Sequence, residues 1–331
     1  MATPRQIVTS LLQGSQPERP LIAPIVFSMG AKIENLSLRA YLDNPTKISN
    51  ALRQIRTQLR TDGVACYFDP LLAFEALGGE VKWDAANQVR SNHWPEPAPK
   101  GELPAYLRTP ELAASSARVQ VAADVIRRLK SLFRDEPLLM AGVSGPFTLA
   151  ARLMGRAPED PLREEWGFVP ALDFAAAGIT RIASALVEAG ANMIFIREEF
   201  LPELSANQCL EWQSLLAPVF NIIRFYEALP VLQLAGGRMS AANVEVISQQ
   251  SWDAVLCSAS ADFAARAAGH AQNFPYGVSL PAEAAQPGDS AAAFRAPAGT
   301  KPVVLTTDGD VPAETDLKRL LKDFEAASRG M

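Results

Sequence analysis

Two polar side chains, Asp69 and Ser144, each come directly after a short apolar run of this 331-residue chain. A carboxylate at the end of a buried strand can accept an N–H of a ligand or stabilise positive charge that develops during a reaction. Burial would raise the pKa of Asp69, whereas a nearby donor or cation would lower it. Because Pro70 follows, the same residue can instead anchor a loop or cap a helix.

Three charged residues, Arg197, Glu198 and Glu199, end the apolar run at 192–198 or follow it. Successive side chains of a strand point to opposite sides, so at most one of the two glutamates is expected to face a central site. That glutamate is a candidate for catalysis or substrate binding. The alternative is an ion pair with the neighbouring arginine or the start of a helix.

Further polar side chains stand at the ends of later apolar runs: Gln233, Arg238, Asp308 and Asp310. Arg238 follows two glycines and can clamp a substrate carboxylate, and a surface arginine at a helix start is the alternative. Asp308 and Asp310 can share an orientation, but two oxygens alone make a weak metal site. The formation of a turn is the simpler role for this pair.

Several kinds of site are excluded by what the sequence lacks. Its two histidines, His93 and His270, follow no predicted strand, which argues against a histidine-based nucleophilic triad. The three cysteines have no CxxC spacing and no histidine at zinc-ligand spacing, so neither zinc nor a disulfide framework is expected. Neither GxGxxG after the first strand nor GxxxxGK[ST] occurs, which removes support for dinucleotide and P-loop phosphate binding.

The elements that must position these side chains alternate along the chain. Continuous apolar runs predict eight buried parallel strands, at 21–27, 63–69, 137–143, 192–198, 229–235, 253–258, 275–280 and 302–307. Helical spacing of apolar residues occupies 46–61, 110–134, 171–189, 207–227, 241–250, 260–271 and 314–328. Eight strands alternating with helices favour an α/β fold of the (β/α)8 TIM barrel type, since a doubly wound sheet usually has fewer strands.

One segment interrupts the alternation. Residues 79–109 contain strand-like pieces and prolines, which predict a hairpin or flap at the mouth of the barrel rather than a second domain. We therefore expect one barrel domain over residues 1–331. The carboxyl ends of barrel strands meet at one rim, so the polar residues named above are expected to converge there.

Composition sets the class of protein. The chain is 48% apolar and 20% charged with a net charge of -5, which is typical of a globular protein. A pI near 5.3 gives no electrostatic reason to expect nucleic acid or an anionic membrane as a partner. The N-terminus lacks the apolar core of a signal peptide, and no apolar run reaches the length of about 18 residues needed to cross a membrane. We expect a cytoplasmic protein.

Several segments, in this order and spacing, resemble the uroporphyrinogen decarboxylase superfamily. That superfamily contains the porphyrinogen decarboxylases and the zinc-dependent methyltransferases that serve corrinoid proteins. The resemblance spans nearly the whole chain and is most specific in SGPFTLA and in the DVPxxT pattern. The segments that carry it are residues 62–83, 142–155, 189–200, 229–237 and 304–327.

The resemblance implies a single (β/α)8 barrel with its active site at the C-terminal rim. It assigns Asp69 to the aspartate that holds pyrrole N–H groups in the decarboxylases. The arginine-rich motif of those enzymes falls on residues 27–32, where Lys32 is the only cation and offers a point charge rather than a bidentate fork. The zinc ligands of the methyltransferases fall on Gln233, Ala235 and Gly309, which supply no thiolate or imidazole.

From this resemblance we expect an enzyme, a decarboxylase-type lyase of porphyrin biosynthesis acting on a porphyrinogen or related tetrapyrrole carboxylate. Asp69 would stabilise the pyrrole cation, and neither a metal nor another cofactor is expected. The residues expected to bind the substrate are Lys32, Ser144, Glu198, Gln233, Arg238 and Asp308.

Two alternatives stay open. FEALGGEV, within 74–81, looks closer to the methyltransferase branch, which favours a zinc-free methyltransferase that moves a methyl group between a corrinoid protein and a non-thiol carrier such as a pterin. The other alternative is a non-catalytic barrel that binds a tetrapyrrole or a corrinoid protein. The resemblance also suggests a homodimer.

Overall fold

The protein is described from a computed structural model. The structure describes residues 2–88, 90–92, 102–134, 136–155, 169–199, 201–235, 240–258, 275–280, 282 and 302–329. Arg238, His93, His270 and the predicted helix at 260–271 lie outside these residues.

Eight parallel strands form one sheet that curls into a nearly closed barrel. In chain order the strands of the molecule are β1 (Leu21–Ile22), β2 (Gly63–Phe68), β3 (Val81–Trp83), β4 (Arg90–Asn92), β5 (Leu138–Ser144), β6 (Met193–Glu198), β7 (Leu229–Leu234), β8 (Val255–Ser258), β9 (Tyr276–Leu280) and β10 (Val304–Thr307). The sheet has the order β1-β10-β9-β8-β7-β6-β5-β2, and β3 pairs only with β4. The predicted α/β TIM barrel is confirmed.

Helices surround the barrel. They are α1 (Pro4–Leu12), α2 (Met29–Ile33), α3 (Leu38–Leu42), α4 (Pro45–Gln58), α5 (Leu72–Ala76), α6 (Ala117–Phe133), α7 (Pro146–Leu153), α8 (Val169–Ala189), α9 (Ala206–Phe225), α10 (Ala241–Ser248) and α11 (Leu317–Arg329), with a 3-10 turn at Pro110–Ser115. Because helices cover the outer face and side chains fill the interior, every residue of β2, β5 and β7 is buried.

The predicted first strand, 21–27, is too long, since only Leu21–Ile22 pairs as a strand. The next residue, Ala23, still donates to the Leu305 carbonyl at 2.8 Å, but the buried residues Ile25 and Phe27 donate to side chains. Ile25 donates to Thr307 Oγ1 at 3.0 Å, and Phe27 donates to Asp310 Oδ1 at 2.7 Å. The end of β10 therefore holds this stretch without a continuous ladder.

The predicted helix 110–134 is two elements. Ser116 has extended backbone angles (φ -62°, ψ 145°) and separates the 3-10 turn from α6.

The insertion at 79–109 contains the antiparallel hairpin of β3 and β4, with Val81 opposite Asn92, as the strand-like pieces predicted. Residues 89 and 93–101 of this insertion lie outside the described part.

One described helix segment, Pro170–Ala189, is long and apolar enough to cross a membrane by composition alone. It belongs to α8, which packs against α6, α7 and α9 and is 56% buried inside the fold. Burial in the helical layer accounts for its apolar composition, and core helices of soluble proteins commonly have the same length and hydropathy.

Candidate functional site at the carboxyl ends of β2, β5 and β6

An open hollow of about 220 Å³ lies where three neighbouring strands of the barrel end. It is lined by Phe68, Asp69, Pro70, Gly142, Val143, Ser144, Arg197 and Glu199. These residues come from the ends of β2, β5 and β6 or directly follow them. The carboxyl ends of the strands are where TIM-barrel enzymes keep their active sites, so this hollow is the candidate site.

Asp69 borders the hollow, but protein groups bind both of its carboxylate oxygens. Oδ1 accepts the N–H of Leu71 at 2.9 Å, and Oδ2 forms an ion pair with Arg118 Nη2. The side chain of Asp69 is 0% exposed. The same Arg118 lies 3.2 Å from Glu75 Oε2 and 3.3 Å from Asp43 Oδ1. We call these four residues the Arg118 cluster.

Sequence analysis missed Arg118. The residue lies on α6, whereas the sequence search considered polar residues at the ends of predicted strands. In addition, 49 positions separate Arg118 from Asp69. Its neighbours in sequence show only the apolar spacing of a helix. No local pattern indicates that its side chain reaches across to the end of β2.

A second arginine, Arg152 of α7, neutralises the other carboxylate of the hollow. Its Nη2 lies 2.5 Å from Glu199 Oε2, and its Nη1 donates to the Pro70 carbonyl at 2.7 Å and to Ser144 Oγ at 2.8 Å. Ser144 in turn donates its hydroxyl proton to the Pro70 carbonyl at 3.0 Å. Ser144 therefore lines the hollow, and its hydroxyl proton is already donated to the main chain.

Arg197, on β6, is the third charged side chain of the hollow. Its Nη2 donates to the carbonyl of Asp308 at 2.8 Å, while its buried Nε has no hydrogen-bond partner among the described residues. Within the same part of the chain, no carboxylate lies within 4.0 Å of its guanidinium nitrogens. Asp308, one of the predicted binding residues, meets Arg197 through its main chain.

Glu198 holds the start of α7. Its two oxygens accept the N–H groups of Phe147 at 3.0 Å and Thr148 at 2.9 Å, and Oε2 also accepts the Thr148 hydroxyl at 2.7 Å. Burial raises the pKa of Glu198 to about 7, although the donors at Thr148 and Phe147 favour its charged form. Gly145 is required beside it, since a Cβ there would lie 2.3 Å from the Glu198 carboxyl carbon.

Asp310 has a similar role before α2. Its oxygens accept the N–H groups of Phe27 and Ser28, each at 2.7 Å. Burial raises its pKa to about 6, while the Ser28 and Phe27 donors and the charge of Arg197 lower it. The DVPxxT segment thus ties the end of β10 to the chain that follows β1.

Gln233 lies inside the barrel and is completely buried. Its Nε2 donates to Ser279 Oγ at 3.1 Å and to the Thr307 carbonyl at 3.0 Å, and its Oε1 has no hydrogen-bond partner among the described residues.

The three positions that correspond to zinc ligands in the family's methyltransferases carry an amide at Gln233, a methyl group at Ala235 and a hydrogen at Gly309. The described residues contain no group of three His, Cys, Asp or Glu side chains able to hold a metal ion, and these three positions do not fit zinc.

Lys32 lies apart from the hollow. Its side chain is 63% exposed, and its Nζ is 3.9 Å from Glu314 Oε1, which is itself exposed. The hollow therefore brings together Asp69 and Ser144 of the predicted site residues. Glu198 and Gln233 are buried beside it and Asp308 contributes a carbonyl, while Arg238 lies outside the described part. The catalytic and binding roles of these residues stay predictions.

Comparisons with known proteins agree with this architecture. A family model described as uroporphyrinogen decarboxylase (URO-D) matches residues 3–255. A solved structure of a methyltransferase from Methanosarcina mazei superposes with a TM-score of 0.74 over 99% of both chains, at 15% identity. Two further structures have TM-scores below 0.5. They are a B12-independent methionine synthase from a Shewanella species (0.49, 13% identity, 85% of this chain and 86% of that one) and a dihydrodipicolinate synthase from Agrobacterium tumefaciens (0.47, 13% identity, 98% and 78%). No curated protein sequence matches the chain.

Proposed function

The chain belongs to the uroporphyrinogen decarboxylase family, and we propose that it is a zinc-free methyltransferase of that family. It would move a methyl group between a corrinoid, carried by a partner protein at the barrel mouth, and a small non-thiol molecule in the hollow. The observation that carries this proposal is the closed ion pair between Asp69 and Arg118.

Decarboxylation of a pyrrole acetate requires a negative group facing the ring, because the protonated ring carries positive charge. The Asp69 carboxylate is the group that the resemblance assigns to this task. In the protein its charge is compensated by Arg118, and none of its side chain is exposed. This geometry weighs against the decarboxylase that the sequence led us to expect, and it favours the alternative.

The cation expected to bind the substrate carboxylates supports the same choice. The exposed Lys32 stands where the decarboxylases have an arginine-rich motif. As a single point charge, it is a poor counterpart for several carboxylates.

The full-length likeness of the barrel to the Methanosarcina methyltransferase is compatible with methyl transfer. Zinc serves in the family's methyltransferases to activate a thiol, and Gln233, Ala235 and Gly309 cannot bind it. A donor or acceptor with nitrogen or oxygen at the reacting position removes that need.

In the transfer to the corrinoid, the bond between the methyl carbon and the donor heteroatom breaks. Its electron pair stays on the heteroatom, which takes up a proton from solvent. The cobalt of cob(I)alamin supplies the electron pair of the new carbon–cobalt bond. Atoms and charge balance without a further oxidant or reductant.

The test incubates the purified protein with cob(I)alamin and EDTA, using methoxyacetate and 4-methoxybenzoate in turn as methyl donors. The corrinoid absorbance spectrum reports methylation, and release of carbon dioxide from uroporphyrinogen is assayed in parallel. We expect methylation with at least one donor and no carbon dioxide. The variant Arg53→Gln, which changes an exposed arginine on the outer helix α4, is the control and should behave as wild type.

Three outcomes would contradict the proposal. Carbon dioxide release without methylation would restore the decarboxylase. The absence of both reactions would favour a non-catalytic binding barrel. Stoichiometric zinc in the purified protein would overturn the interpretation of Gln233, Ala235 and Gly309.

A further inference from the structure

We infer that Arg197 anchors the single carboxylate group of a small ligand in the hollow. The inference rests on the proposed function for the location of the substrate, and it adds the chemical class of that substrate. It assigns to Arg197 the anion-clamping role that the sequence had given to Lys32 and Arg238. The argument depends on how the guanidinium is held, which charges surround it and what shape the hollow has.

The guanidinium of Arg197 is held in place by one hydrogen bond, but not all of its N–H groups have partners among the described residues. In the sheet, Arg197 lies beside Ser144 of β5 and Gln233 of β7. The Asp308 carbonyl accepts from Nη2 at 2.8 Å, which fixes the side chain. The buried Nε keeps an N–H without a partner among the described residues. A guanidinium that is fixed on one side and has no ion-pair partner in the described part can form charge-assisted hydrogen bonds with a carboxylate that enters the hollow.

The carboxylates around Arg197 are already engaged. Asp69 is paired with Arg118, and Glu199 lies 2.5 Å from Arg152. Asp310 feels the charge of Arg197, but its two oxygens accept the Phe27 and Ser28 N–H groups. In the described part of the hollow, Arg197 is thus the charged group without an ion-pair partner.

The shape of the hollow limits the ligand. Phe68, Pro70, Gly142 and Val143 contribute the apolar part of its lining. The hollow is open to solvent, so a ligand can place its carboxylate there and extend its body toward the barrel mouth. One unpaired guanidinium can compensate one negative charge, because Arg118 and Arg152 are already paired with Asp69 and Glu199. A monocarboxylate with a short apolar or aromatic body meets these limits, and a phosphate or polycarboxylate does not.

The test measures the binding of benzoate and of its neutral analogue benzamide to the purified full chain, without corrinoid, by isothermal titration. We expect benzoate to bind at least about tenfold more tightly than benzamide, since a hydrogen bond to a charged group contributes that much. Arg197→Met should weaken benzoate binding at least about tenfold and leave benzamide unchanged. Arg197→Lys, which keeps the charge without the fork, should give an intermediate Kd. Arg53→Gln is the matched control and should bind both compounds as wild type does.

Thermal unfolding of each variant shows whether it is folded, and Arg197→Lys keeps the test informative if Arg197→Met is not. Equal affinity for benzoate and benzamide would overturn the inference, as would unchanged benzoate binding in folded Arg197→Met. Benzoate binding without any methyl transfer would contradict the proposed function alone. Methyl transfer without benzoate selectivity would contradict the role of Arg197 alone.

Discussion

Two charged groups border the same hollow, and their surroundings differ sharply. Asp69, at the end of β2, is fully buried and bound by Leu71 and Arg118. Arg197, two strands away on β6, keeps a buried Nε–H without a partner among the described residues. Both satisfy the rule that catalytic groups gather at the carboxyl ends of barrel strands. The difference shows that position on the rim predicts where a charge lies, and that its partner decides whether a ligand can use it.

The largest effect is expected from removing the cation that is paired with Asp69. Arg118→Met leaves the buried Asp69 carboxylate without its cation and removes one partner from Glu75 and Asp43. Loss of one member of a buried ion pair typically costs about 3–5 kcal/mol, so the free energy of unfolding in urea should fall by about that amount. Arg118→Lys should cost less. A loss below about 1 kcal/mol would mean that the Arg118 cluster does not compensate Asp69.

A second variant tests Glu198, the buried carboxyl group that holds the start of α7 beside the hollow. Glu198→Gln places an amide NH2 group against the donors of Phe147 and Thr148, so we expect unfolding in urea to cost about 1–3 kcal/mol less. Glu188→Gln, an exposed change on α8, should have no measurable effect.

The same variant also tests the raised pKa of Glu198. Because its folded-state pKa of about 7 lies above the unfolded value of 4.5, its contribution to stability is present at low pH. That contribution declines as the pH rises from about 4.5 to about 7. The free energy of unfolding should therefore fall more steeply over this range in wild type than in Glu198→Gln. Parallel pH profiles would show that the carboxyl group is ionised throughout.

Asp69→Asn tests whether Asp69 contributes to ligand binding at Arg197. The amide oxygen can still accept from Leu71, and Arg118 keeps Glu75 and Asp43, so a stability loss of about 1–2 kcal/mol is expected. Benzoate affinity should change less than about twofold, because Arg197 is untouched. A large loss of benzoate binding would show that Asp69 shapes the ligand site directly.

The smallest effect is expected at Lys32. Its ion pair with Glu314 is exposed on both sides and spans 3.9 Å, and such pairs contribute about 0–1 kcal/mol. Lys32→Gln should leave both the unfolding free energy and the benzoate Kd close to the wild-type values. A clear loss of benzoate binding would return the anion-clamping role to Lys32, as the sequence led us to expect.

The barrel was predictable from sequence because its signal is local and repeated. Buried strands such as β5 and β7 are continuous apolar runs, and their predicted bounds agree within one residue. The first strand was overextended because the chain after Ile22 is equally apolar, while the N–H groups of Ile25 and Phe27 bind the side chains of Thr307 and Asp310 far along the chain. Apolar composition reports burial and does not distinguish a ladder from a loop held by distant side chains.

The candidate site was predictable in place but not in chemistry. The sequence put Asp69 and Ser144 at the rim, and the hollow contains both. The availability of their atoms depends on Arg118 and Arg152, which lie on helices and contact the rim only in the folded chain. Ion pairs between residues so distant in sequence leave no periodic pattern. Arg197 was noticed as a rim residue, but its unpartnered Nε could be found only from coordinates.

The most direct measurement is a crystal structure of the protein with para-bromobenzoate, in which the anomalous signal of bromine fixes the orientation of the ligand. We predict that the carboxylate lies within hydrogen-bond distance of the Arg197 guanidinium, with the pair of Asp69 and Arg118 intact. A carboxylate bound elsewhere, or an Asp69 released from Arg118 and turned toward the ligand, would contradict the account.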